Sequence, residues 1–303
     1  MTTDNTSIFL INPDDSMIIY GSLYILFSTP VLPLEVIVMM ALHTKEKSAK
    51  NATFKLMNLI NILEIGHVIC HFVSSFFLFF PLFAIQFEVF VRVIGSILNT
   101  FWIAEIPLMA LLAVSRIFIF RGLHSTFLSV IARLILFLIT SWMSFVLITG
   151  AITQNFMFYP PSWQYDVTAK YASIFVKLEI ITVISSLAIA YFSYLVIIYL
   201  IYMKKQVALS TSRRSNEKSI LYQYTFTVTY ILIYLVLWHS GNDLFNIQSP
   251  TALALINCFW IGGAYISPVT LLIFNNAIRR ECRRVIRCKS DSKVSITWVT
   301  PNT

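Results

Sequence analysis

The sequence predicts an all-α membrane protein, a bundle of seven transmembrane helices. Two observations carry that prediction. Only 12% of the residues are charged and 57% are hydrophobic, against about 25% charged in a soluble domain. Most helices must therefore face something other than water. The apolar residues also fall into seven runs, each long enough for the ~20 residues of helix that cross about 30 Å of hydrocarbon.

The expected spans are residues 17–42, 53–80, 90–120, 127–151, 172–203, 220–240 and 251–274, which together make a transmembrane domain over 17–274. Residues 1–16 carry Asp4, Asp14 and Asp15 and no Lys or Arg. A cleavable signal peptide would begin with basic residues, so the first run is expected to stay in the membrane. The second, third and fifth runs exceed the minimum length and are expected to tilt or project. Pro30 and Pro33 in the first run and Pro107 in the third can kink their helices. No internal repeat, low-complexity segment or soluble domain is expected.

Orientation follows from the basic residues in the loops. One set holds Lys45, Lys47, Lys50, Arg121, Lys204, Lys205, Arg213, Arg214, Lys218 and the cluster from Arg279 to Lys293. The opposite set holds only Lys170. The N-terminus is therefore expected outside, and residues 275–303 as a cytoplasmic tail. There the stretch after Phe274 reads as a basic amphipathic helix on the inner leaflet. The net charge of +8 belongs to that asymmetry, and no nucleic-acid partner is inferred. The partner it implies is the lipid bilayer. Four cysteines suggest no disulfide framework. Cys282 and Cys288, in the basic tail, are palmitoylation candidates or ordinary thiols.

Polar residues inside apolar runs are candidate functional groups, because burying them in lipid is costly. They include Glu35, Glu64, Glu105 and Glu179. Glu64 and Glu105 could face each other across the bundle, where two close carboxylates would not both ionise. His67 and His71 have the i, i+4 spacing of metal ligands, the basis of one alternative reading, an intramembrane metal-dependent hydrolase. That reading lacks a third histidine on the third, fifth or seventh run. A multi-span transporter is the other alternative, and it lacks the expected repeat. A retinal protein would need a lysine in the last span for its Schiff base, and residues 251–274 have none. No metal, cofactor or catalytic group is expected.

Arg116, near the inner end of the third run, either anchors in headgroups or acts as a switch. The stretches FKLMNLINILE (54–64), GSILNTFWIAEIPLMALLAVSR (95–116), WH (238–239) and NCFWIGGAYISPVTLLIFNNAIRR (257–280) favour the switch. Together they resemble G-protein-coupled receptors, and most closely the nematode chemosensory serpentine receptors of class T. The resemblance runs in order through nearly the whole chain. It implies a rhodopsin-like architecture, a small external ligand, a heterotrimeric G protein inside, and a plasma-membrane location such as a sensory cilium. It also makes Arg116 the coupling arginine, Pro268 the proline of the helix 7 motif, and Glu64 the acid of helix 2.

The sequence departs from the wider class at several points. Ser115 stands where many receptors have an acid that pairs with the arginine. The helix 7 motif reads Ser267-Pro268-Val269-Thr270-Leu271. No cysteine lies at the outer end of helix 3 or in 152–171, so the usual disulfide between them cannot form. A cavity open to the outside is the default ligand site of this architecture. Asn99, Trp102, Glu105, Trp238, His239, Asn257 and Trp260 are its candidate contacts, since aromatics and amides suit a small, largely apolar ligand.

The topology makes a direct prediction. Two glycosylation sequons, at Asn5 and Asn51, lie on opposite predicted sides, and only Asn5 should carry glycan. A glycosidase-sensitive mobility shift should vanish in Asn5→Gln and persist in Asn51→Gln. The reverse pattern would invert the bundle.

Overall fold

The computed structural model describes residues 7–49, 52–121, 126–203, 225–239 and 249–287. Asn5, Asn51, the basic loop over 204–218 and Cys288 lie outside the described residues.

Apolar composition and the absence of water favour helices, since a helix satisfies its own backbone hydrogen bonds. The chain forms α1 (Asp15–Ala49), α2 (Ala52–Phe79), a short α3 (Pro81–Gln86), α4 (Glu88–Arg121), α5 (Thr126–Thr153) and α6 (Ala172–Met203). A further helix, α7, covers Thr225–His239. The rest is α8 (Pro250–Gly263), α9 (Ile266–Phe274) and α10 (Asn276–Ile286). Among the described residues, six segments are long and apolar enough to cross a membrane, α8 and α9 counting as one; α7 is shorter.

Burial ranks the helices. In α4, 78% of the apolar window is buried, against 11% in α5. The axial helix is thus α4, packed against α2, α5 and α6, while α5 is peripheral. α1 packs chiefly on α2 and also holds α10. The close approach of α2 to α4 depends on Gly66, where a Cβ would run into the Phe101 ring.

The last membrane pass is broken. Helix α8 ends at Gly263, and α9 restarts at Ile266. Pro268 has no backbone N–H and lies in the first turn of α9, where that N–H has no helical partner to lose. The break therefore sits just ahead of the proline. Asn275 caps α10 by accepting from the N–H groups of Ala277 and Ile278, both at 3.1 Å. On α10, Glu281 is buried and pairs with Lys45 of α1 and with Arg284, each at 3.4 Å. Cys282 is buried too.

Between α5 and α6 the chain forms a hairpin that hydropathy alone does not indicate. Strand β1 (Phe156–Tyr159) pairs antiparallel with β2 (Ser162–Tyr165), Phe158 opposite Trp163. Alternation sends Phe156, Phe158 and Trp163 into the bundle. Trp163 is fully buried and donates its indole N–H to Ser74 Oγ at 2.7 Å. Tyr24 donates to the Pro161 carbonyl at 2.6 Å.

The hairpin lies flat on α4 because residue 95 is glycine. A Cβ there would sit 2.7 Å from Trp163 Cζ3 and 3.1 Å from the Phe156 carbonyl oxygen. The buried Trp163 ring has nowhere to go. Gly95→Ala should therefore overpack the contact and cost about 1–3 kcal/mol, read as a lower Tm of the purified chain in detergent. An unchanged Tm would show that the hairpin can shift freely.

Candidate functional site

One face of α2 carries Asn61, Glu64, His67, His71 and Ser74, spaced three or four residues apart, and all are buried. α4 adds Asn99, Trp102 and Glu105 at steps of three. These two faces meet α7 and α8 around a chamber in the bundle. Its lining includes Glu64, His67, Trp102, Glu105, Tyr230, Tyr234 and Trp260. The cavity volume is about 30 Å³, room for one or two waters.

The wall is a chain of aromatic rings. Trp102 meets Tyr234 edge-on at 5.2 Å and Trp260 at 5.7 Å. Tyr234 stacks on Trp260 at 5.3 Å, and Trp238 lies 5.3 Å from Trp260. These separations are those at which aromatic pairs attract. His67 and His71 each lie 4.8 Å from the Trp260 ring. Their Nε2 atoms are 3.0 Å apart, a hydrogen bond in which one ring donates and the other accepts. His71 Nδ1 lies 3.5 Å from Asn257 Nδ2. Among the described residues no group of three or more His, Cys, Asp or Glu is arranged to hold a metal ion.

Below the rings is a carboxyl cluster. Asn61 donates to Glu35, and Ser267 hydrogen-bonds Glu64. Glu64 lies within electrostatic range of both Glu35 and Glu105. The partnership across the bundle expected for Glu64 and Glu105 thus takes in a third acid, from α1.

Above the rings is a junction centred on Glu179 of α6. Trp102 Nε1 donates to Glu179 Oε1 at 3.0 Å, and the Tyr165 hydroxyl donates to Oε2 at 2.5 Å. Asn99 donates to the same Tyr165 oxygen at 2.8 Å. His239 Nε2, at the end of α7, is 3.7 Å from Oε1. Burial first, and then the Glu179 charge, hold the Tyr165 hydroxyl far above its ordinary pKa. It therefore stays a donor across the physiological range.

The hairpin above this junction is tied down by Arg92 of α4. Its guanidinium donates to Asp166 Oδ2 at 2.8 Å, to the Gln154 carbonyl at 2.7 Å and to Glu88 at 2.8 Å. Asp166 also accepts from the Thr168 hydroxyl at 2.5 Å and from its N–H at 3.0 Å.

At the C-terminal end of α4, Arg116 is buried, with Nη2 4.0 Å from Met57 Sδ of α2. Ser115 donates to the Leu112 carbonyl of its own helix at 2.7 Å. It does not hold the arginine as an acid would.

The expected contact residues thus divide into groups. Trp102, Glu105 and Trp260 line one chamber, together with Glu64, an expected switch residue. Asn99 and His239 gather with Trp102 around Glu179, and Trp238 stacks over Tyr234 at 5.9 Å. Asn257 lies against His71 rather than in the chamber lining. Glu179 stands out in the sequence only as an acid in an apolar run. Tyr165, Tyr230 and Tyr234 carry no signal of a role there.

By sequence, no family model and no curated protein matches the chain. In fold it is similar to squid rhodopsin, with a TM-score of 0.67 over 93% of this chain and 90% of that one, at 14% identity. The chain has the seven-helix rhodopsin-like architecture.

The Arg92 tie predicts a pH dependence. The Thr168 hydrogen bonds, and then Arg92, hold Asp166 below its ordinary value near 3.8. Its stabilising contribution is therefore complete above the unfolded-state value, about 3.9. It is lost as pH falls through the lower folded value. The Tm should fall below about pH 4, and more steeply for the parent than for Asp166→Asn. Parallel curves would remove Asp166 from the tie.

Proposed function

We propose that the chain is a receptor that binds a small molecule from outside and activates a heterotrimeric G protein inside. It lies in the plasma membrane with its N-terminus outside. The chemosensory role follows the resemblance to class T serpentine receptors, as does a sensory cilium as its location.

The observation that carries this reading is the layout of α4. One central helix presents Trp102 to an aromatic chamber and, 14 residues on, roughly 21 Å further along, a buried arginine toward the inner end. A chamber outside and a held charge inside are what a ligand-driven population shift requires. Ligand favours a state in which the inner ends of the helices open and Arg116 leaves Met57 for a partner carbonyl or carboxylate. Ser115 offers Arg116 no ion pair, so the acid that holds this arginine in many receptors is not the residue beside it here. Glu64 lies in the carboxyl cluster and Pro268 at the α8–α9 break. No catalytic role is assigned.

Membranes carrying the chain should raise guanine-nucleotide exchange on a panel of heterotrimeric G proteins above that of empty membranes. Arg116→Ala should lower the increment about tenfold, the loss of one charge-assisted contact, with surface expression intact. Exchange equal to the parent's would exclude Arg116 from the partner contact. No increment from the parent with any G protein would overturn the reading.

A further inference from the structure

Glu179 is a buried carboxylate tied to four separate elements: its own α6, α4 through Trp102, the hairpin through Tyr165, and α7 through His239. Among the described residues no Lys or Arg forms an ion pair with it, nor with Glu35, Glu64 or Glu105. Among the described residues, His239 is the one basic group within 4 Å of Glu179. Arg92, the guanidinium of the outer end, is already engaged by Glu88 and Asp166. Lys177 is exposed. The site and the bundle beneath it thus hold four acids and no free strong base among the described residues.

Two further observations point to a ligand. The ring wall of Trp102, Tyr234, Trp238 and Trp260 presents the π-faces that attract cations, most strongly where water is excluded. The Tyr234 hydroxyl and Trp260 Nε1 are both buried without a hydrogen-bond partner, and both residues line the chamber. Trp102 joins the two halves, since its ring lines the chamber and its N–H donates to Glu179.

We propose that the chain recognises an organic ammonium ion, a primary or secondary amine on a compact apolar or aromatic body. Its charged group pairs with Glu179, taking the acceptor now given to Trp102 and approached by His239, and its body parts the four rings, because the chamber of about 30 Å³ otherwise admits only one or two waters. An anionic ligand is disfavoured, because it would meet Glu179 with no arginine or lysine to offset the charge. A neutral ligand would replace the donors on Glu179 with nothing stronger. An ammonium replaces them with a charge-assisted bond. This inference rests on the receptor reading and names the ligand class of that site.

The test is binding to the purified full chain in detergent, with no G protein present. The probes are 2-phenylethylamine and a graded set of other primary arylalkyl and alkyl amines. Their controls are the neutral isostere 2-phenylethanol and the acid 3-phenylpropanoate. A ligand that binds the folded chain raises its Tm in a concentration-dependent way. Amines should raise the Tm at concentrations at least tenfold lower than the alcohol requires, and the acid should not raise it. Glu179→Gln should abolish the preference for amines over alcohols, and Glu179→Asp should keep part of it.

The comparison of amine with alcohol uses the parent chain and stands even if Glu179→Gln fails to fold. Equal effects of amine and alcohol would overturn the proposal, as would stabilisation by the acid, no stabilisation by any amine, or an undiminished preference in Glu179→Gln. A chain that binds amines but never raises nucleotide exchange would separate this proposal from the failure of the receptor reading.

Discussion

The structure depends on one constraint: inside the hydrocarbon there is no water to accept a hydrogen bond. Each polar group must find a protein partner or bear the cost of burial, several kcal/mol for a bare amide or hydroxyl. The two extremes among the helices show the constraint at work. On the peripheral α5, hydroxyls close on their own backbone: Thr140 on the Leu136 carbonyl at 3.0 Å, Ser144 on Thr140 at 3.0 Å, Thr149 on Phe145 at 2.5 Å and Thr153 on Thr149 at 2.6 Å. They need no neighbour, and the helix can face lipid. α2, α4 and α6 also carry hydroxyls that close on their own turns, but beside them stand acids, imidazoles and amides, too long or too demanding to close on the turn below. They meet one another across the bundle instead. Polar chemistry thereby gathers on the axis of the fold.

At the hairpin end of the bundle the constraint relaxes, and the hairpin uses different means. Charged side chains can hold it there, because water solvates what they leave unpaired. Arg92 supplies three donors from one planar group to Asp166, Gln154 and Glu88, a geometry that lysine could not match. Trp163 adds a fully buried wedge against Gly95. Cys70, Cys258 and Cys282 are free thiols, so polar ties and packing do the work that a disulfide does elsewhere. The hairpin is also coupled to the helices beneath it, because Tyr165 shares the Glu179 carboxylate with Trp102.

Hydropathy pointed to the long apolar helices because lipid imposes a long, uniform requirement on each segment. It revealed the intramembrane acids for the same reason, since Glu179 violates that requirement in plain view. It could not reveal the hairpin. Phe156, Phe158 and Trp163 are apolar like the residues around them, and their strand character depends on a partner strand and on a glycine some sixty residues away. Tyr165 was illegible for a related reason. A tyrosine in a loop acquires a role only when the fold brings it to a carboxylate on a different helix. The break ahead of Pro268 shows a middle case. The proline belongs to a motif legible in the sequence, but the interruption over Ala264 and Tyr265 also adjoins Gly262 and Gly263, whose missing side chains let Tyr230 approach.

Helix α4 joins the two ends of the molecule physically. Trp102 and Arg116 share one backbone, and most of that backbone is packed in the core. Between them stands Pro107, which removes the hydrogen bond that Ile103 would otherwise accept and crowds the turn before it. Sharp bends in helices concentrate at such points. Glu105 sits on the same turn and lines the chamber. The weakest turn of the central helix is therefore also the turn that faces the cavity. The rigid segments on either side of it carry the indole bound to Glu179 and the guanidinium buried beside Met57. A change in the angle at Pro107 moves those two groups relative to each other, and no contact elsewhere in the described structure links them so directly.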